Sequence, residues 1–181
     1  MDEKRRVRIS KFMSLVLRHE PEKANLTLEP GGWVLIDDLL AGAAGAGLPF
    51  TRTELEAVVK ACEKQRFATD DTGSMIRANQ GHSTEVDLQL EPTAPPAELF
   101  HGTADRFLDA ILRDGLLKMA RHHVHLSPDA ETARKVGSRR GKPVILVVDA
   151  AKMHTDGHTF YCSANGVWLV EAVPPQYLRV V

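Results

Sequence analysis

The sequence predicts an α+β chain divided into two lobes, residues 1–92 and 93–181, and three observations carry that expectation. A run with three prolines, Glu91-Pro92-Thr93-Ala94-Pro95-Pro96-Ala97-Glu98, interrupts everything helical or strand-like around it and reads as a linker. Ahead of it, apolar residues recur mainly at helical spacing; behind it, short β-branched runs alternate with short amphipathic stretches. No repeat at a period of roughly 20 to 50 residues relates the two halves, so they are different modules rather than copies.

In the first lobe, Val7, Phe12, Met13, Val16 and Leu17 fall near helical spacing after a basic start, and Pro21 forces the chain out of helix just beyond Arg18-His19. A second short helix is predicted from Ile36 through Leu39, Leu40 and Ala43, to be broken by Gly42-Ala43-Ala44-Gly45-Ala46-Gly47. A third is better signalled: Thr51 and Glu54 have capping-box spacing, and Leu55, Val58, Val59 and Cys62 then supply an apolar face. Phe67–Thr69 and Met75–Arg77 flank the turn formers Asp70-Asp71-Thr72-Gly73 and read as a hairpin. Three short helices closed by a hairpin suggest a winged-helix lobe.

The second lobe opens with the strand Glu98–Thr103. An amphipathic helix is expected over 104–117, a strand over 123–127 and a short helix over 129–136. Pro143–Ala150 is an almost continuous β-branched run, the pattern of a strand buried on both faces, and three further strand-like stretches follow at 158–163, 166–173 and 177–181.

Composition bounds the function. The chain has 181 residues, enough for a hydrophobic core without disulfides. It is 43% hydrophobic and 26% charged, and no apolar run reaches the length of about 20 residues needed to span a bilayer. The charged N-terminus lacks a secretory pattern, and Cys62 and Cys162 stand far apart with no CxxC, so a cytoplasmic protein without a zinc finger is expected. Net charge is −1, so any polyanion site must be local. Basic residues do cluster, at Lys4, Arg5, Arg6, Arg8 and Lys11 and again at Arg134, Lys135, Arg139, Arg140 and Lys142.

The residues able to carry chemistry are arginines and histidines. Arg18-His19 ends the first helix, where a cation also fits the helix dipole. Arg77 begins the phrase Arg77-Ala78-Asn79-Gln80-Gly81-His82-Ser83, more hydrogen-bonding capacity than a surface hairpin needs. His101-Gly102-Thr103 follows a strand end, where a glycine lets a ligand approach the backbone. His122, His123 and His125 invite a metal, but strand alternation divides them between two faces and no carboxylate or cysteine joins them, so no metal is expected. Arg139, brought near Arg18 and Arg77, would help hold a dianionic phosphate, because the guanidinium fork suits bidentate phosphate binding. There is no GxGxxG after the first strand of the second lobe, no P-loop, no GxSxG and no HExxH.

Taken in order, SKFMSLVLRHEP, GGWVLIDDLL, IRANQGHS, LFHGT, HVHLS, VGSRRGKPV and SANGVWL closely resemble the tRNA 2'-phosphotransferase family over nearly the whole chain. The resemblance implies a winged-helix RNA lobe followed by a lobe of the ADP-ribosyltransferase fold. It implies NAD as co-substrate and an RNA with an internal 2'-phosphate, of the tRNA splice-junction type, as substrate. ADP-ribose is attached to that phosphate with loss of nicotinamide; ADP-ribose 1'',2''-cyclic phosphate then leaves and the RNA 2'-hydroxyl is restored. By motif, Arg18, His19, Arg77 and Arg139 are the implied catalytic residues, and His101, Gly102, Thr103, His125, Ser127 and Val167 the implied NAD pocket. Arg140 stands where many relatives carry histidine, and the 42–47 segment is unusually glycine-rich. The two-lobe plan needs no second copy, so a monomer is expected. Two other readings stay open on the sequence alone: a transferase that modifies terminal phosphates and stops after the first step, and a catalytically silent RNA-binding winged helix.

Overall fold

A computed structural model describes residues 1–181, apart from the side chain of Arg140, so the expectation attached to Arg140 lies outside the described atoms. The chain mixes helices with small sheets and separates into two compact units, Met1–Gln89 and Leu90–Val181. The start of the proline-rich run belongs to the second unit: Pro92 bridges Tyr161, and the Thr93 N–H donates to the Phe160 carbonyl at 2.8 Å. Among the described residues no helix is long and apolar enough to cross a membrane.

In the first unit, helix α1 (Glu3–Val16) starts at Asp2, whose carboxylate accepts from the Arg5 N–H at 2.8 Å, and buries Ile9, Met13 and Val16. Pro21 turns the chain into a 3-10 segment, Pro21–Ala24. Strand β1 (Trp33–Leu35) follows, then α2 (Ile36–Gly45), α3 (Arg52–Lys60), β2 (Phe67–Thr69) and β3 (Met75–Ala78). The capping box of α3 forms as its spacing predicts, with Thr51 Oγ1 accepting from the Glu54 N–H at 3.2 Å and Glu54 Oε2 accepting from the Thr51 N–H at 3.0 Å. The helix stops at Lys60, so Cys62 lies in the turn beyond it rather than on the helical face.

Two further expectations are corrected here. The glycines do not break α2 after Ala43; the helix runs through Gly42 to Gly45. A Cβ on Gly42 would fall 2.1 Å from the carbonyl oxygen of Ala24, so the residue is small because the 3-10 segment packs there. Trp33–Leu35, too short to show an alternation, forms a strand antiparallel to β3, giving a three-stranded sheet in the order β1-β3-β2. Val34 and Ile76 face inward to a core with Met13, Leu17, Leu39 and Leu55.

The second unit is built on β4 (Glu98–Ala104) and β7 (Pro143–Asp149), paired antiparallel over seven residues, with β11 (Leu178–Val180) on the far side of β7. As the apolar run predicts, Ile145, Leu146, Val147 and Val148 are all buried. Strands β6 (Val124–Leu126), β8 (Phe160–Cys162) and β9 (Trp168–Val170) form a second sheet in the order β6-β9-β8. Phe100 and Ser127 join the two sheets by exchanging both backbone hydrogen bonds, at 2.9 and 2.7 Å.

The helix expected over 104–117 is divided. A 3-10 turn (Asp105–Phe107) precedes α4 (Leu108–Asp114), and beyond Gly115 the chain becomes β5 (Leu116–Leu117), paired with β10 (Ala172–Val173). Helix α5 (Ala130–Gly137) is capped by Asp129, which accepts from the Thr132 N–H at 2.7 Å. Helix α6 (Ala150–Thr155), unexpected from the sequence, begins at Asp149, which accepts from the Lys152 N–H at 3.0 Å. Its six residues give too little periodicity to mark it out.

Candidate active site

In the first unit the polar phrase after β3 folds back onto the end of α1. The Arg18 carbonyl accepts from the N–H groups of Ser83 (2.9 Å) and Thr84 (3.1 Å), and His19 Nδ1 and Ser83 Oγ are 2.8 Å apart. Arg18 reaches the Arg66 carbonyl at 3.4 Å, and the same carbonyl accepts from the Asn79 N–H at 2.9 Å. One stretch of backbone, 79–84, therefore positions both Arg18 and His19. Ser83, Asn79 and Arg66 set that geometry; in the sequence Ser83 and Asn79 stand out only as members of an unusually polar phrase.

Arg77 lies on β3 directly before that stretch. Opposite it on β1 is Trp33, and the guanidinium stands over the indole, 4.6 Å from the ring centroid, donating weakly to the Gly31 carbonyl at 3.5 Å. Arg77 Nε is buried and makes no hydrogen bond among the described residues, and burial lowers the guanidinium's pKa from its ordinary value. A partly desolvated guanidinium pairs well with a phosphate oxygen. Asn79 Oδ1 is likewise buried without a partner among the described residues, while its amide donates to the Gln65 carbonyl at 2.6 Å.

The basic run on α1 is not wholly available to a polyanion. Arg5 turns inward, where both its Nε and its Nη2 meet the carboxylate of Glu54 and Nη2 also donates to the Pro49 carbonyl at 3.0 Å. That guanidinium, helped by the Thr51 N–H, holds the Glu54 carboxyl well below its ordinary range, at about 2.

In the second unit most of the residues expected to hold NAD share one strip of sheet, with Val167 in the turn at its edge. His101 Nδ1 donates to the His125 carbonyl at 3.1 Å, and burial lowers the pKa of the ring, partly offset by that bond. Burial favours the neutral imidazole, and with Nδ1 donating, that form leaves Nε2 as an acceptor. Ser127 pairs with Phe100, the neighbour of His101. Register pairs Leu126 with Trp168, so Ser127 and Val167 follow one step on. The Val167 carbonyl accepts from the Ser163 N–H (2.9 Å) and from Ser163 Oγ (3.0 Å) inside the tight turn between β8 and β9. Strand alternation turns the N–H and C=O of Gly102 to the same edge as those of Phe100.

The reason for glycine at 102 differs from the one expected. A Cβ there would fall 1.7 Å from the Ala133 carbonyl, and one on Gly137 would fall 2.7 Å from the Thr103 carbonyl. The close approach is that of α5, not primarily of a ligand. Its consequence is positional, since α5 ends on the backbone of 102–103 at Gly137 and hands over to the 3-10 turn Ser138–Arg140, so exposed Arg139 follows two residues after that contact.

The three histidines are arranged otherwise than alternation suggests. His122 and His123 precede β6, their rings 6.4 Å apart, and both line one cavity with His158, while His125 accepts from Arg121 at 2.8 Å.

A model of the RNA 2'-phosphotransferase, Tpt1 / KptA family matches residues 4–172. A protein of Nostoc punctiforme is 57% identical over 181 residues, covering all of both chains. One of Streptomyces griseus is 55% identical over 185 residues (98% of each chain), and one of Hahella chejuensis 56% identical over 172 (95% of this chain, 92% of its own). Each of the three is described as a probable RNA 2'-phosphotransferase. With the match running through α1, the 77–84 phrase, the His101 strip and Arg139 alike, this chain belongs to the RNA 2'-phosphotransferase family.

Proposed function

We propose that the protein is an NAD-dependent RNA 2'-phosphotransferase, a cytoplasmic monomer that removes an internal, splice-junction type 2'-phosphate from RNA. The observation that carries this reading is the family match over 4–172, which takes in both clusters of candidate residues. On this reading the first lobe is a winged helix that binds the RNA, for which its helices and three-stranded sheet speak. The second is an ADP-ribosyltransferase-like lobe that binds NAD.

The residues fit NAD chemically. His101 offers a neutral acceptor, and the edge of β4 at Gly102 offers an adjacent donor and acceptor, the pairing a carboxamide takes. His101, Gly102, Thr103, His125, Ser127 and Val167 would hold the dinucleotide, which supplies an electrophilic ribose carbon and nicotinamide as leaving group.

A phosphate monoester carries a charge of about −1.5 to −2 at neutral pH, so the first nucleophile is already ionised and needs no general base. That accounts for an apolar Val167 where many ADP-ribosyltransferases carry glutamate. A phosphate oxygen forms the new bond to the ribose carbon as the bond to nicotinamide breaks. The second step passes the phosphoryl group to the neighbouring ribose hydroxyl, and its demand is for positioning and for charge stabilisation on the equatorial oxygens. Arg18, Arg77 and Arg139 meet that demand. His19, held by Ser83, donates a hydrogen bond or a proton to the departing RNA 2'-oxygen. The test is release of nicotinamide from NAD with and without RNA: release that requires the 2'-phosphate supports the reading, and RNA dephosphorylation without NAD refutes it.

A further inference from the structure

We infer that the outward face of the β1-β3-β2 sheet holds a base of the RNA substrate, from a nucleotide neighbouring the one whose phosphate meets Arg77. The inference deepens the proposed function and rests on its reading of Arg77 as a phosphate ligand.

Register sets Trp33 opposite Arg77 and Leu35 opposite Met75, so these four side chains share one face while Val34 and Ile76 fill the core. The solvent side of a small antiparallel sheet is normally polar. Here it presents an indole, a methionine and a leucine that is 48% exposed, grouped about one guanidinium. Against Trp33 opens a cavity of about 470 Å³, bounded also by Glu29, Pro30, Leu35, Asp38 and Met75. That volume lies within the range of small-ligand sites.

The lining chooses among the parts of a nucleic acid. Trp33, Leu35 and Met75 offer apolar surface to a base face, and aromatic side chains are the usual platform for an unstacked base. Glu29 and Asp38, both exposed, repel a phosphate but accept from base N–H groups, which favours bases with an exocyclic amino group. Continuity with Arg77 makes the occupant RNA. Arg77 itself does not line the cavity, so the base held there belongs to a flanking nucleotide.

Trp33 is one of two tryptophans, so Trp168→Phe leaves it the sole indole fluorophore. This variant is titrated, without NAD, with a short RNA carrying one internal 2'-phosphate, and then with the same RNA made abasic at the 5' or the 3' neighbour. The expected result is quenching by the intact RNA, with loss of quenching and about tenfold or greater weakening on removal of one of the two bases, in line with a stacked base. Fluorescence anisotropy of labelled RNA on the unmodified protein should give the same ratio. Equal affinity and equal quenching by the intact and both abasic RNAs would overturn the inference. Removing only the 2'-phosphate separates the two ideas: unchanged affinity would refute Arg77 as phosphate ligand, while base-dependent quenching would still uphold the base contact.

Discussion

The carbonyl oxygen of Ala133 stands 1.7 Å from where a Cβ on Gly102 would lie, so helix α5 rests on bare strand backbone. Gly102→Ala must push the helix away from β4 or strain both. The expected cost is about 2–3 kcal/mol in the unfolding of the second unit, the upper part of the usual range for overpacking. Denaturant unfolding with an unchanged midpoint would show that the contact yields easily.

Arg77 is predicted to be irreplaceable by another cation. Arg77→Ala should slow phosphate removal by about 10²–10³-fold, as loss of a charge-stabilising donor does. Arg77→Lys should recover little, because a lysine neither stacks on Trp33 in the same way nor offers a fork. Rates near those of the unmodified protein, for either variant, would remove Arg77 from the clamp; the same comparison for Arg139→Ala tests its place there.

On the proposed reading Ser83 acts through His19, from which its hydroxyl lies 2.8 Å. Ser83→Ala should lower kcat by about threefold to tenfold, one hydrogen bond's worth, with KM for RNA little changed. A change confined to KM would argue that Ser83 touches substrate instead of positioning the imidazole.

Glu54 supplies a pH dependence with a defined sign. Its carboxyl is lowered from 4.5 to about 2 in the folded chain, mainly by Arg5, so the unfolded chain binds the proton first as pH falls. The stabilisation is complete above pH 4.5 and is lost as pH drops toward 2. Glu54→Gln should be less stable than the unmodified protein at neutral pH, with the difference shrinking across that window in acid unfolding curves. A constant difference would show that the pair contributes nothing that titrates.

Much of the molecule was legible because the signals were local. The Thr51/Glu54 spacing is a self-contained hydrogen-bond arrangement, and the 143–150 run states its burial in composition alone. What escaped depends on partners distant in sequence. Trp33–Leu35 is a strand only because β3 pairs with it, and the helix carries a glycine at 42 because Ala24 crowds it. His122 and His123 meet because the chain turns ahead of β6. The site followed the same division. Its arginines and histidines were visible as motif residues, whereas Ser83, which holds His19, and Trp33, which carries Arg77, emerged from contacts spanning tens of residues.

The most direct test of the central claim is to mix the protein with NAD and a short RNA bearing one internal 2'-phosphate, and to follow the RNA and the nucleotide products by mass spectrometry. The account predicts RNA with a restored 2'-hydroxyl together with nicotinamide and ADP-ribose 1'',2''-cyclic phosphate, all requiring NAD. Phosphate loss without NAD, or an ADP-ribosylated RNA that accumulates and goes no further, would contradict it.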